Sequence, residues 1–383
     1  MIRASIKRNN ENAMRQIQAA VCWEKGEKLK VSTVHLENIL DNQVLVEILA
    51  CAVSPFDAAQ AKHGHKLNTF PMIPGHEAVG RVVQVGKDVH SVAVGDTVIP
   101  LSIPQCNQCK ACLSDKTNLC HALRITRSQE FIPDYPPRLL ADEQPLCSFM
   151  GIAGFSSHIA MPEIAVTKVT SSASPEELAI YCSAVVSGVG AVFQNSALTG
   201  QEQIAVLGAN PTGLGVVQAA RLKGIKDIIV IEASEKKRKV ALQMGASIAF
   251  DPDALGRSLI PSIREVSKGG VDIAFECTAE QNAAALAIES TCEGWGETIL
   301  VETHQPLHPS SWTLPRVCSG KSIRSCVFGG LQGRSDMQDY VALLESGEIE
   351  VKSMIDNVIT LHEVNEYLNK AHHPDYLRSV ICF

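Results

Sequence analysis

Ile204-Ala-Val-Leu207, then Gly208-Ala-Asn-Pro-Thr-Gly213, then, after an amphipathic run to Lys223, Asp227-Ile-Ile-Val-Ile231 closed by Glu232: these segments decide the fold. The order is strand, glycine turn, helix, strand, acid. A tight turn of this kind brings a phosphate onto the first turn of the helix, where free N–H groups and the dipole favour an anion. The acid ending the second strand accepts from ribose hydroxyls. The stretch therefore predicts a dinucleotide site with Gly208, Gly213 and Glu232 in it. Asn210 takes the place where the G-x-G-x-x-G pattern has its middle glycine. It tolerates unusual backbone angles but brings a side chain into the approach of the pyrophosphate.

Around this core, strand and helix signals alternate. Ile248-Ala-Phe250, Val271 to Glu276 and Thr298 to Glu302 read as strands, and Ser325 to Phe328 as a last or edge strand. Such alternation predicts a parallel sheet with helices on both faces. Upstream, Ala19 to Trp23, Gln43 to Ala50, Ala78 to Val85 and Gly95 to Pro100 are short runs separated by Gly, Pro and polar turns, the pattern of a distorted barrel. Pro175 to Gly190 reads as a helix leading into the parallel sheet. The C-terminal stretch carries two helices and a strand, Arg378 to Phe383, expected to rejoin the barrel.

The chain of 383 residues is long enough for two cored domains. A net charge of −7 with pI near 6.0 and no basic stripe argues against a nucleic-acid partner. No apolar run is seen to approach the roughly 18 residues of a membrane helix. Thirteen cysteines without a secretory signal predict reduced thiols, metal ligation and a cytoplasmic location. Residues 1–17 are polar and basic and read as a disordered extension.

Cys106-x2-Cys109-x2-Cys112-x7-Cys120 is a compact four-sulfur loop. Four thiolates close a tetrahedron around zinc and leave no open coordination position, so one structural zinc per chain is expected, with iron–sulfur the competing cargo.

These motifs, with Ala20-Val-Cys-Trp-Glu-Lys-Gly-Glu-Lys-Leu-Lys30, Gly75-His-Glu77, Lys116-Thr-Asn-Leu-Cys120, Phe275-Glu-Cys277 and Val327-Phe-Gly-Gly330, resemble the zinc-type medium-chain alcohol dehydrogenases. The similarity is greatest to the class III, glutathione-dependent formaldehyde dehydrogenases. The resemblance runs from about residue 18 to the end. It implies an α/β fold: a GroES-like β-barrel catalytic domain (18–185 and 329–383), a Rossmann coenzyme domain (186–328), a small-molecule substrate and a homodimer.

The same resemblance implies where chemistry should sit. The family's catalytic zinc is held by a Cys, the His of G-H-E and a second Cys. Here those positions are Ser54, His76 and Ser183, so two thiolates have become hydroxyls. A neutral hydroxyl is a poor zinc ligand. The relay hydroxyl of the family is Phe56, and Pro55 replaces a cofactor-facing His or Arg. Asp57 matches the carboxylate that orients the histidine, and with Ser54, Ser183 and Glu77 it forms a candidate polar network around His76. For the cofactor, Thr212, Lys237, Val301 and Arg378 match contact positions, and Glu232 favours NAD(H) over NADP(H). Arg124 matches an arginine that class III enzymes use for an anionic adduct, whereas their adduct-binding Asp is His65 here.

Three functions follow as alternatives. The first is a nicotinamide-dependent reductase of an activated C=C, C=N or C=O bond that works without catalytic zinc. The second is a non-catalytic cofactor-binding paralogue. The third is a conventional zinc alcohol or S-(hydroxymethyl)glutathione dehydrogenase whose metal site has been rebuilt, with Cys51 and Cys182 as the nearby thiols.

Overall fold

A computed structural model describes residues 14–64, 70–122, 138–141, 143–195, 198–278, 280, 282–301 and 319–383. His65, Arg124 and most of the 1–17 extension lie outside the described residues.

The Rossmann expectation is met, with the last strand displaced. Six strands form one sheet in the order Ile248–Phe250, Asp227–Ile231, Gln203–Leu207, Ile273–Glu276, Glu297–Leu300 and Ser322–Ser325. Every neighbouring pair is parallel. The order reverses at Gln203–Leu207, and the crevice at the carboxyl ends of the strands there is where such sheets take ligands. The helix after the first glycine turn, Pro211–Leu222, buries most of its length against the sheet. It also lies against the helix Val186–Phe193, where a Cβ on Gly188 would sit 2.0 Å from the Thr212 carbonyl oxygen. Only glycine permits that approach.

The last strand ends earlier than expected. Pairing stops at Ser325, and Val327–Gly330 is a 3-10 turn in which Phe328 and Gly329 have φ of 51° and 61°. Left-handed backbone cannot continue a strand. Within the 1–17 stretch, Arg15 to Ile17 are ordered, because Arg15–Val21 is a strand paired with Lys30–Leu36, and Ile17 is buried.

The first domain is a mixed β-structure around the long strand Gln43–Val53. That strand pairs antiparallel with Glu77–Val85, His158–Pro162 and the C-terminal strand Arg378–Cys382, so the chain end does rejoin this domain. Three of these strands place the site. Gln43–Val53 leads directly into Ser54; Glu77 opens the strand paired to it; Arg378 opens the C-terminal one.

Pro175–Phe193 corrects the reading that no segment approaches membrane length. It is a 19-residue helical run, long and apolar enough by composition to cross a bilayer, but 72% of its apolar window is buried inside the protein. It serves as a core helix at the junction of the two domains. Its middle, Tyr181–Val185, is a π-turn between α-helical segments, and it carries Cys182 and Ser183.

Candidate active site

Ser54 starts the helix Pro55–His63 as its N-cap. Serine there is expected, since its oxygen satisfies an amide that the first turn leaves open. The Ser54 hydroxyl accepts from the Asp57 backbone N–H at 3.0 Å and donates to Asp57 Oδ2 at 2.8 Å. The Ser54 backbone N–H also donates to Oδ2, at 3.2 Å, completing a capping box. The other carboxylate oxygen, Oδ1, accepts from the Gly75 N–H at 3.0 Å and faces His76 Nδ1 at 3.1 Å. Gly75 has φ of 96°, and a Cβ there would lie 2.5 Å from the Phe155 nitrogen, so this turn into His76 requires glycine.

Asp57 and His76 are both buried. Burial raises the Asp57 pKa, but the charge and hydrogen bond of His76 and the donors Ser54 and Gly75 outweigh it, and the net shift is downward. Burial likewise lowers the His76 pKa, but the Asp57 charge and hydrogen bond prevail and the net shift is upward. The arrangement favours a carboxylate–imidazolium pair.

Two phenyl rings flank the imidazole. Phe56 stands 5.7 Å from it, centroid to centroid, at 89°, and Phe149 stands 5.8 Å away at 90°. Among the described residues, none is hydrogen-bonded to His76 Nε2. Glu77 turns away from this centre and holds Arg378 through two contacts, Nε–Oε2 at 2.9 Å and Nη2–Oε1 at 3.3 Å. Ser183 is half-buried in the π-turn, and its carbonyl accepts from the Ser187 hydroxyl at 2.7 Å. Among the described residues, no hydrogen bond joins it to Ser54, Asp57 or His76. Cys182 points its thiol to the carbonyls of Ala179 and Ala78, at 3.2 and 3.6 Å. Cys51 donates to its neighbour's carbonyl. Burial, first of all, pushes both thiols well above the ordinary range.

At the glycine turn, Gly208 has φ of 92°, and a Cβ on Gly213 would fall 1.9 Å from the Gly208 carbonyl oxygen. Asn210 uses no unusual angle: φ is −74° and ψ 175°. It works instead through its side chain. Oδ1 accepts from the Gly213 N–H at 2.9 Å, capping the helix, and Nδ2 donates to the Cys277 carbonyl at 2.6 Å. Glu232 sits at the turn, accepting from the backbone N–H groups of Ala209 at 2.8 Å and Ser234 at 2.9 Å. Lys237 lies among Glu232, Arg378, Asp356 and Asp375, and burial lowers its pKa. Thr212 and Val301 are buried, Val301 just past the strand Glu297–Leu300.

The four-cysteine loop closes as predicted. All four sulfurs lie within 4.8 Å of one another, and among the described residues this is the sole group of three or more Cys, His, Asp or Glu ligand atoms so gathered. Cys106–Cys112 and Cys109–Cys120 are 3.9 and 4.0 Å apart. Tetrahedral zinc–sulfur bonds imply about 3.8 Å. Asn107 and Asp115 take the left-handed angles that fold the loop. Burial raises the Cys109 thiol, but N–H groups of His121 and Cys112 pointing at the sulfur bring it down to about 6. The donor set fits a structural zinc.

Residues 40–171 match the alcohol dehydrogenase GroES-like domain family and residues 211–346 the zinc-binding dehydrogenase family. The S-(hydroxymethyl)glutathione dehydrogenase of Komagataella pastoris is 32% identical over 375 residues, 97% of this chain and 99% of that protein. A class-3 alcohol dehydrogenase of Cereibacter sphaeroides is 33% identical over 374 residues, 96% of this chain and 99% of the relative. The chain belongs to the zinc-type medium-chain dehydrogenase/reductase family. Solved members share its fold: an alcohol dehydrogenase zinc-binding domain protein from Burkholderia ambifaria superposes with a TM-score of 0.87 at 22% identity, covering 97% of this chain and 99% of its own. Benzyl alcohol dehydrogenase from Acinetobacter calcoaceticus gives 0.85 at 20% identity, over 96% and 99%.

As a medium-chain dehydrogenase, the chain is a nicotinamide-binding oxidoreductase. Within that frame the structure brings buried Ser54, Asp57 and His76 into one cluster, with the half-buried Phe56 against the imidazole. It ties Glu77 to Arg378, and it leaves Ser183 outside the hydrogen-bonded group. Sequence reasoning missed Phe149, whose contact with His76 joins residues far apart in the chain. A lone Phe in a strand-like stretch carries no signal for such a contact.

Proposed function

We propose that this medium-chain dehydrogenase is a reductase that acts without catalytic zinc, using NAD(H) in preference to NADP(H) to reduce an activated C=C, C=N or C=O bond. The observation carrying this reading is the Ser54 hydroxyl, which stands where the family has a zinc thiolate and is already engaged by Asp57 on both its donor and acceptor sides. One histidine and two hydroxyls do not fit zinc. Cys51 and Cys182 turn their thiols to backbone carbonyls, that of Ala52 and those of Ala179 and Ala78, and among the described residues neither gathers with His76 in a group of three ligand atoms. The four-cysteine loop retains one structural zinc. Glu232 supports NAD(H), because its carboxylate repels a 2′-phosphate.

A bound reduced nicotinamide supplies hydride. The residues of the chain supply position and a proton. With an enone, hydride arrives at the β-carbon, the C=C pair shifts toward oxygen, and His76 Nε2 gives its proton to that oxygen. The enol then becomes the saturated ketone, and His76 regains a proton from solvent. Asp57 holds Nδ1 and keeps the ring charged and oriented. Phe56, in place of the relay hydroxyl, excludes water and carries no proton.

NADH oxidation with enone, quinone and iminium acceptors tests this, with and without a zinc chelator. Turnover that survives the chelator, with no oxidation of simple alcohols, is expected. Chelator-sensitive alcohol oxidation contradicts it. The non-catalytic reading draws on Asn210 and Glu232 occupying turn amides, and predicts no turnover on any acceptor.

A further inference from the structure

We infer that Asp375 is a specificity-determining residue for the cofactor: its carboxylate holds the place beside Glu232 that the 2′-phosphate of NADP(H) would otherwise take. This rests on the NAD(H) preference proposed above and goes beyond it by assigning a second acid, supplied by the other domain.

In a Rossmann sheet the acid ending the second strand accepts from the ribose hydroxyls, and a 2′-phosphate is accommodated there by a nearby cation. Here that strand, Asp227–Ile231, runs through Glu232 into Ser234, the N-cap of the nine-residue helix Glu235–Gln243. The Ser234 backbone N–H donates to Glu232 Oε1 at 2.9 Å, so the two residues share one turn. Lys236 and Lys237 follow in the first turn of the helix. A helix N-terminus with a hydroxyl and two ammonium groups would make a phosphate cradle.

That cradle is taken up from the barrel side. Asp375 precedes the C-terminal strand Arg378–Cys382, and its Oδ1 accepts from the Ser234 hydroxyl. The same hydroxyl accepts from the Lys237 backbone N–H at 3.2 Å, so its donor and acceptor sides are both used. Lys236 Nζ donates to the Asp375 carbonyl at 3.1 Å and pairs with Asp356 Oδ1 at 2.5 Å. Asp356 is anchored in turn by the Leu377 N–H, which donates to its Oδ2 at 2.7 Å. The Lys237 ammonium lies among Glu232, Asp356 and Asp375 as well as Arg378. Glu235, also in the first turn, pairs with Lys239 at 2.7 Å. The Ser234 hydrogen bond, with His373, Lys236 and Lys237 close by, lowers the Asp375 pKa and keeps the group a carboxylate. A phosphate entering this turn meets Glu232 and Asp375 together, and it must displace the second from its serine and lysine. A ribose hydroxyl carries no charge for either to repel.

Fluorescence titration of the full chain with NADH and with NADPH reads the ratio of the two dissociation constants. The unaltered chain is expected to favour NADH. Asp375→Asn keeps the size of the side chain and an oxygen for Ser234 but removes the charge. It should tighten NADPH about tenfold, the effect of removing one like charge beside a phosphate, and leave NADH within about twofold. Asp375→Ala also frees the Ser234 hydroxyl and should move the ratio in the same direction. Lost packing or capping would weaken both cofactors alike, so the ratio separates charge from structure, and thermal melts identify any variant that fails to fold. An unaltered chain that binds NADPH as tightly as NADH overturns the NAD(H) preference, whichever way Asp375→Asn moves the ratio. A ratio unmoved in both folded variants overturns the role of Asp375 and leaves the preference to Glu232 alone.

Discussion

Ser54 and Asp57 show how a single substitution reassigns a site. With a thiolate at position 54 the side chain would belong to a metal; with a hydroxyl it caps a helix and holds a carboxylate. Ser54→Ala should cost about 1 kcal/mol of stability by loss of the cap, read from chemical denaturation. His76 should set the pH dependence. Its pKa is raised by Asp57, so the protonated form persists above the ordinary histidine range. Acceptor reduction should therefore hold at low pH and fall as pH rises through that elevated value. The ion pair's contribution to stability should be present at and somewhat below about 6.5, lost as pH rises through the raised folded-state pKa of His76, and lost again at acid pH as Asp57 takes up its proton at its lowered pKa. Asp57→Asn should move the falling limb of the rate profile to lower pH. A limb that stays in place shows that Asp57 does not tune His76. His76→Gln should lower kcat about a hundredfold or more with modest effect on NADH affinity.

At the scale of elements, the parallel strands were legible because strands buried on both faces read as unbroken apolar runs, as in Ile204 to Leu207 and Ile228 to Ile231. The strand proposed at Ser325 to Phe328 was misplaced because the backbone turns left-handed at Phe328 and Gly329, which apolar character does not reveal. The π-turn at Tyr181–Val185 left no signature in the sequence, since it shifts hydrogen bonding without changing composition. The polar cluster around His76 was named from family resemblance, and its second phenyl wall was not, because that contact is non-local. The same scale holds a test at the glycine turn. Pro211 has no N–H, and the Gly213 N–H is committed to Asn210. Asn210→Gly frees an amide for a phosphate, and NADH should bind about tenfold tighter in a fluorescence titration. Weaker binding would show that the Asn210 cap helps to shape the site.

For the whole molecule, the two-domain frame of the family is intact while its two sets of metal-ligand positions differ in what they keep. The four-cysteine loop keeps every sulfur in place, and the catalytic position keeps only its histidine. The fold tolerates this because the two sites rest on different supports: the loop closes on its own turns, whereas Ser54, His76 and Arg378 hang from the ends of paired strands. At those ends hydrogen bonds and ring packing surround His76. We propose that zinc has left the reaction and remained in the fold. The most direct measurement is zinc per chain by elemental analysis, on the same sample that is titrated with NADH. One zinc per chain with NADH bound is the predicted result. Two zincs per chain would contradict it and return the protein to alcohol and aldehyde chemistry.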